Sequence, residues 1–443
     1  MNRKEFLRNS GLAALALTAT PATRLFARNQ QNSVRLALIG TGARGQGHLS
    51  LLLQRDDVNL VAICDVDSRM LDGARRLVEK SGKKMPRVYT GSPYAWKDLL
   101  HEQQLDGIVI ATPWEWHKPM IVGALEAGVK YVGTEVVLGI TMEDHWEVVR
   151  TAEQKNAHVM MLENVCYRRD VMAVLNMVQQ GQFGEIVHLQ GGYQHNLRDV
   201  KFNDSCEFGE KAFSEARWRT EHSVHRNGDL YPTHGVGPLA NYININRGNR
   251  FVNLCSFSSK ARGLHDYVVR KCGPDHPSAK VQFKLGDVVT TSINCANGET
   301  ILLQHDTSLP RPYSLGFRVQ GTLGLWMDVA NSIHVAGQSK EDEWDDAKTW
   351  LEKYDHPLWR RWSTSTKGAG HGGMDFFVIH AFVESIKRQA PTPLDVYDAA
   401  VYSAITPLSE QSIELGNQTM EFPDFTAGQW MYRKPSFGLS DEY

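Results

Sequence analysis

The sequence predicts an α/β chain: a domain of parallel strands alternating with helices, followed by an α+β domain with a large, mostly antiparallel sheet. Three observations carry this. The apolar run Val34–Ile39 leads straight into Gly40-x-Gly42-x-x-Gly45, the strand–turn–helix signature of a Rossmann dinucleotide-binding domain. Further apolar runs alternate with helical patterns as far as residue 162. After Gly184 the pattern changes to successive half-buried strands with few helices between them. The boundaries read as 1–30 for an export signal, 31–165 for the Rossmann domain and 166–443 for the substrate and catalytic domain. The C-terminal segment of the last is expected to pack back on the first domain.

The N-terminus has a basic start (Arg3, Lys4, Arg8), an apolar run Gly11–Thr18 and small residues to about Ala27. That is the layout of a secretory signal, and its apolar part is too short to span a bilayer. Arg3-Lys4-x-Phe6-Leu7 resembles a twin-arginine export core with Lys in place of the second Arg, so a periplasmic protein is expected. No later window reaches the roughly 18 uninterrupted apolar residues of a membrane span.

In the glycine motif, Gly40 serves a tight turn, Gly42 the close approach of a pyrophosphate and Gly45 the packing of helix on strand. The helix N-terminus then offers unpaired N–H groups to the phosphates. A second buried run, Leu60–Cys64, ends in Asp65, 20 residues after Gly45. An acidic residue there accepts from the adenosine ribose and repels a 2′-phosphate, which favours NAD over NADP, although Arg44 inside the loop offers a phosphate its charge. Asp106–Thr112 is a strand followed by Trp114, Glu115, Trp116 and His117; Tyr131–Thr134 is followed by Glu135, and Val159–Leu162 by Glu163 and Asn164. Ligands of doubly wound sheets sit at the C-terminal strand ends, so these residues should line one crevice.

In the second domain, alternation marks strands at 185–193, 251–259, 288–295, 300–304 and 317–327. Between them lies Trp218-Arg219-Thr220, then Asn227-Gly-Asp-Leu-Tyr231-Pro-Thr-His234-Gly, with a helix expected from His234 through Leu239 and Tyr242. The stretch 341–370 carries Trp344, Trp350, Trp359 and Trp362 among many charges and reads as an inserted loop region. Its tryptophans suit packing or sugar stacking equally well. A last helix should open after His371 and run through Phe382 and Ile386 toward the nucleotide domain.

Composition excludes other classes. The 443 residues hold 48 Lys+Arg against 50 Asp+Glu, a net charge of −2, without the basic excess of a nucleic-acid binder. Ordinary shares of hydrophobic (42%) and charged (22%) residues exclude wholesale disorder. The 6 scattered cysteines exclude a zinc ribbon and argue against a dense disulfide scaffold, and none of the 17 histidines pairs at zincin spacing in a supporting helix, so no metal is expected. A homo-oligomer stays open.

The glycine loop, the Gly184-Glu-Ile strand entry, the Gly321-Thr-Leu-Gly324 turn and the Pro393-Leu-Asp395-Val-Tyr397-Asp398-Ala-Ala ending resemble the glucose-fructose oxidoreductase and inositol dehydrogenase superfamily. Members of that superfamily carry Glu-Lys-Pro where this chain has Glu135-Val136-Val137, so the lysine that assists oxidation in the dehydrogenases is missing. More narrowly, Trp114-Glu-Trp-His117, Glu163-Asn-Val-Cys-Tyr167 and Asn227-Gly-Asp-Leu-Tyr231-Pro-Thr-His234-Gly-Val-Gly-Pro resemble glycoside hydrolase family 109, exported NAD-dependent α-N-acetylgalactosaminidases.

The resemblance implies NAD contacts at Ala43, Arg44, Asp65, Trp114, Glu115, Trp116, His117, Glu135, Val136 and Asn164, beside Gly40, Gly42 and Gly45 of the loop. It implies substrate contacts at Tyr193, Arg219, Tyr231, Pro232, Thr233, His234 and Tyr313, and catalytic roles for His234, Tyr231, Tyr193, Glu163 and Tyr313. The activity it implies is removal of terminal α-N-acetylgalactosamine by oxidation at C3, elimination, water addition and re-reduction, with NAD recycled in place. His234 with Tyr231 is expected at the C3 hydroxyl, and Tyr193 or Glu163 at C2 and the glycosidic oxygen, tyrosine acting where a nearby cation lowers its pKa. The alternatives are an NAD-dependent sugar or polyol dehydrogenase of the same superfamily and a non-catalytic sugar-binding module that keeps NAD as a structural element.

Overall fold

A computed structural model describes residues 33–443; the export signal expected over residues 1–30 lies outside the described residues. Strands β1 (Val34–Ile39), β2 (Val58–Cys64), β3 (Arg87–Tyr89), β4 (Gly107–Ile110), β5 (Tyr131–Thr134) and β6 (His158–Met161) form one sheet in the order β3-β2-β1-β4-β5-β6. All its pairings are parallel. Helices cover both faces of such a sheet, which is why β1 and β4 read as unbroken apolar runs and are buried along almost their whole length. The strand order reverses between β1 and β4, and this switch point opens the crevice at their C-terminal ends. β3 is too short to have shown itself in the sequence.

Trp114 to His117, expected at the C-terminal end of β4, stand there as the first turn of the helix Trp114–Glu126. Pro113, extended at ψ 151°, turns the chain out of β4 and starts that helix at once.

The second sheet has nine strands: β7 (Ile186–Gln194), β8 (Phe251–Ser258), β9 (Val289–Cys295), β10 (Thr300–Asp306), β11 (Arg318–Gly321), β12 (Gly324–Met327), β13 (Ser332–Val335), β14 (Asp345–Asp346) and β15 (Met420–Glu421). Their order is β14-β13-β12-β11-β7-β10-β9-β8-β15, and only the β7–β10 pair is parallel. The helix Thr233–Tyr242 lies on β7. The contact is backbone on backbone, since a Cβ on Gly235 would stand 2.5 Å from Gly192 N and one on Gly191 2.8 Å from Gly235 O. That close approach sets His234 beside the end of β7.

Two long C-terminal helices join the layers. Met374–Arg388 packs on the glycine-loop helix Ala43–Leu53 and on β1. Val396–Glu414, opened by an Asp395/Asp398 capping box, packs on β6, β8 and the helix Met142–Lys155. The stretch 341–370 is not a plain loop: it holds β14 and the short helices Ala347–Lys353 and Pro357–Trp362, capped by Asp346 and His356. Trp359 is buried with its indole N–H donated to Tyr167 O, Trp362 donates to Asp441 O and Trp350 stacks on Tyr354, so only Trp344 is left exposed. A disulfide joins Cys206 to Cys272 beside a small apolar cluster that includes Phe202, Leu264 and Val268. Among the described residues, no helix is long and apolar enough to cross a membrane.

Candidate active site

A cavity of about 650 Å³ runs from the glycine loop to the end of β7. At its nucleotide end the three glycines divide their work as the motif requires. Gly40 has φ +88°, and a Cβ there would meet Ala111 O at 2.3 Å; one on Gly45 would meet Gly40 O at 1.9 Å. Gly42 faces open space and lines the cavity. No side chain caps the helix that starts at Ala43 and no acidic residue sits in its first turn, so its N–H groups are left for an anion. Asp65 also lines the cavity, with Oδ2 accepting from Thr41 N at 2.6 Å and Oδ1 from Asp67 N at 2.9 Å. Oδ2 also accepts from Thr41 Oγ1 at 3.1 Å, which leaves the second lone pair of Oδ1 for a ribose hydroxyl, and these residues therefore fit a dinucleotide.

Further in, Arg44 is committed to two carboxylates, Glu135 at 2.6 Å and Asp375 at 2.8 Å, and is not aimed at a 2′-phosphate. The buried His48 meets the same Glu135 oxygen at 2.6 Å. Burial pushes the Glu135 carboxyl up, but the Arg44 guanidinium and the His48 ring outweigh it and hold it at about 2. Asp375, also pushed up by burial, is held far below the carboxylate range by His371 and Arg44, and it accepts from Asn164 Nδ2 at 2.7 Å. Asn164 Oδ1 is buried without a partner at the wall of the cavity, an acceptor available to a ligand. Val136 presents an apolar chain to this cavity, and among the described residues no lysine lines it.

A cluster of histidine and tyrosine side chains lines the other end. His234 Nδ1 stands 2.7 and 2.9 Å from the two oxygens of Glu163, which is fully buried and also accepts from Val165 N. A carboxylate on Nδ1 fixes the ring in one tautomer and leaves Nε2 to exchange protons. Around this ring stand Tyr231, at 4.9 Å between centroids, and Tyr193, at 5.4 Å, with Tyr313 at 6.4 Å from Tyr193. Arg219 lies over Trp114 at 5.1 Å, Trp218 at 4.9 Å and Tyr231 at 5.5 Å, and is paired with Glu215 at 2.5 Å. The expectation that a cation activates the tyrosines does not hold. Burial pushes the Tyr193 hydroxyl up to about 12 and Tyr231 well above its usual value, and the opposing charge of Arg219 does not offset this. Both are proton donors near neutrality.

The structure thus brings Asp65, Ala43, Arg44, Trp114, Glu115, Trp116, Glu135, Val136, Asn164, Tyr193, Arg219, Tyr231 and His234 to one cavity. Tyr313 borders an adjoining one. Other expected contacts fall elsewhere. His117 is buried with its ring nitrogens toward Val137 O at 2.5 Å and Thr112 O at 2.8 Å, so it braces the strand ends and does not line the cavity. Gly45, Pro232, Thr233 and Glu163 stand behind the cavity wall, where Glu163 meets the cavity residue His234. His195, Asp375 and His371 were not expected. His195 Nδ1 lies 3.1 Å from the Tyr193 hydroxyl, and its spacing of two residues from Tyr193 at a strand end is the signal that could have found it.

Fold and cavity together define the class: an enzyme that holds a dinucleotide across a Rossmann switch point and sets a histidine–tyrosine cluster beside it. Residues 34–163 match the oxidoreductase family with the NAD-binding Rossmann fold, and residues 167–432 match the C-terminal domain of glycosyl hydrolase 109. The chain belongs to glycosyl hydrolase family 109 and is a glycosidase that uses NAD. It is 57% identical to a glycosyl hydrolase family 109 protein of Stenotrophomonas maltophilia over 100% of this chain and 99% of the relative. It is 51% identical to an alpha-N-acetylgalactosaminidase of Tannerella forsythia over 92% and 89%. Among solved structures, levoglucosan dehydrogenase in complex with NADH and L-sorbose shares the fold at TM-score 0.64 and 18% identity, covering 89% of this chain and 100% of that one. Myo-inositol dehydrogenase from Lactobacillus casei with NAD(H) and myo-inositol aligns at TM-score 0.59 and 15% identity, over 89% and 99%.

Asp65→Ala should loosen NAD, since each charge-assisted hydrogen bond lost is worth roughly 1.5–3 kcal/mol. The variant should lose cofactor on dialysis and then need added NAD for activity. Full activity after dialysis would show that Asp65 does not bind the ribose.

Proposed function

We propose that the protein removes terminal α-N-acetylgalactosamine from glycans with a retained NAD, and that His234, Tyr231, Tyr193 and His195 carry its proton transfers. One observation carries the reading: the carboxylates nearest the reacting end are each tied to a cation or imidazole, Glu163 to His234, Glu135 to Arg44 and Glu215 to Arg219. A displacement glycosidase needs two carboxylates flanking the scissile bond, one of them able to give its proton. Here histidine and tyrosine occupy that ground. When bound, NAD supplies reversible oxidation at C3 of the sugar, which acidifies the C2 proton and lets the anomeric substituent leave by elimination.

The residues divide the proton work by geometry. His234, with Nδ1 held by Glu163, takes the C3 hydroxyl proton at Nε2 and returns it. Tyr231 donates a hydrogen bond to the same oxygen and packs on the Trp114 and Arg219 wall. Tyr193 is protonated at rest, so proton removal at C2 has to pass through it to His195, 3.1 Å from its hydroxyl. Burial and then Arg219 lower the His195 pKa, so the ring is neutral and able to accept. The absence of lysine from the cavity lining, among the described residues, favours this reading over a simple dehydrogenase.

Export to the periplasm by a twin-arginine-like signal is part of the proposal. The Cys206–Cys272 disulfide supports it, because such bonds persist in oxidising compartments.

The test is hydrolysis of an α-N-acetylgalactosaminide in deuterium oxide without added NAD. Elimination breaks the C2–H bond in every turnover and should place deuterium at C2 of the released sugar. Release of sugar carrying only protium at C2 would overturn the redox mechanism, and accumulation of reduced cofactor without hydrolysis would make the protein a dehydrogenase.

A further inference from the structure

The nucleotide cavity has a wall that does not come from the Rossmann domain. Residues 197–218, which follow β7, supply Leu197, Val200, Ser214, Glu215, Arg217 and Trp218 to its lining, while Asp65, Val66 and Asp67 line it from the nucleotide domain. The segment meets that domain at two places. The guanidinium of Arg69 lies over the Phe213 ring at 5.6 Å, and Arg69 is paired with Asp67 at 2.9 Å, two residues beyond Asp65. Further along, the Trp218 ring stands 5.1 Å from that of Trp114. Arg217 falls between these two crossings.

Little regular structure holds the segment in position. Beyond the single turn Arg198–Lys201 it has only the short 3-10 turns Gly209–Lys211 and Ser214–Arg217. Side chains fasten it instead. Asn203 accepts from Phe213 N at 3.0 Å and donates to Phe213 O at 3.4 Å, which closes a loop between them. Within that loop Cys206 is bonded to Cys272, the last residue of the helix Gly263–Cys272. Lys201, at the root, donates to Thr307 Oγ1 at 2.8 Å.

Three arginines line the cavity. Arg44 and Arg219 are tied to carboxylates, whereas among the described residues Arg217 has no such partner. The diphosphate is the only anionic part of NAD, and a guanidinium can meet two of its oxygens at once.

We propose that residues 197–218 form a strap across the bound dinucleotide, with Arg217 paired to the diphosphate and the Cys206–Cys272 bond holding the strap in place. Release of the cofactor then requires the Arg217 contact and the Phe213–Arg69 crossing to open together. The proposal rests on NAD as cofactor and is independent of the glycan.

The test follows release of the cofactor. Holoenzyme is saturated with tritiated NAD, diluted into excess unlabelled NAD, and the label still bound is counted with time after rapid filtration. Arg217→Gln should speed release by about tenfold or more, the equivalent of one charge-assisted hydrogen bond. Arg217→Lys keeps the charge but not the fork and should speed it less. Phe213→Ala should also speed release. So should reduction of the Cys206–Cys272 bond in protein whose circular dichroism is unchanged, and Cys206→Ser combined with Cys272→Ser should match the reduced form. Release from Arg217→Gln within about twofold of the unaltered rate would overturn the proposal. Release that reduction of the folded protein leaves unchanged would overturn it as well. Because no substrate is present, either result stands whether the protein proves to be a glycosidase or a dehydrogenase.

Discussion

Replacing His234 by alanine should lower turnover by about a hundred- to ten-thousandfold, the range that a positioned proton-transfer group contributes. NAD should stay bound, because no nucleotide contact is lost. The expectation rests on the pairing of His234 Nδ1 with the buried Glu163, which presents the other nitrogen in one defined state. Glu163→Gln keeps the shape of that partner but not its charge, and should lower kcat with KM and NAD content little changed. Turnover is measured on an aryl α-N-acetylgalactosaminide, and NAD as dinucleotide released on denaturation. A His234→Ala protein keeping more than a tenth of its activity would remove His234 from the chemistry.

The second large effect is on stability. Arg44→Ala would leave Glu135 and Asp375 facing one cavity wall without their shared cation. Removing one partner of a buried ion pair costs about 3–5 kcal/mol, and the lower end applies here because a quarter of the Arg44 side chain is still exposed. The pH dependence has a definite sign. In the unaltered protein Glu135 is held at about 2, so it contributes stability above its ordinary value of 4.5 and loses it as pH falls toward 2. The variant lacks that contribution. Its deficit in urea melts should therefore be full at neutral pH and shrink as pH falls toward 2, because burial makes its uncompensated carboxyls take up protons earlier while the unaltered protein loses the Glu135 contribution below 4.5. A deficit independent of pH would mean that packing, not charge, is what Arg44 supplies.

How far the sequence could be read follows from the range of each interaction. The glycine loop, Asp65 and the ends of β4, β5 and β6 are local patterns, and the crevice they were expected to line exists. Partners are different. Glu163 and His234 lie 71 residues apart, Arg44 and Asp375 331 apart, and no periodicity shows that they meet. Glu163 therefore read as a cavity residue when it stands behind one. Tyr193 and Tyr231 were expected to move protons with a nearby cation lowering their pKa, and the depth of burial that raises it instead was not legible. The helices at Ala347–Lys353 and Pro357–Trp362 escaped because segments of two turns show no apolar stripe.

The Cys206–Cys272 bond closes a loop over a sequence separation of 66 residues, and a crosslink of that span adds about 4 kcal/mol by restricting the unfolded chain. Cytoplasmic thiols stay reduced. NAD is made in the cytoplasm, so on the export route proposed above the chain would have to fold around it there, before this bond can form. Through that interval the apolar contacts of Phe202, Leu264, Val268 and Ala279 would hold the segment unaided. On that proposal the bond is a seal applied on arrival: it would come too late to guide folding, and it would make the unfolded state less favourable only where cofactor, once lost, is not resupplied.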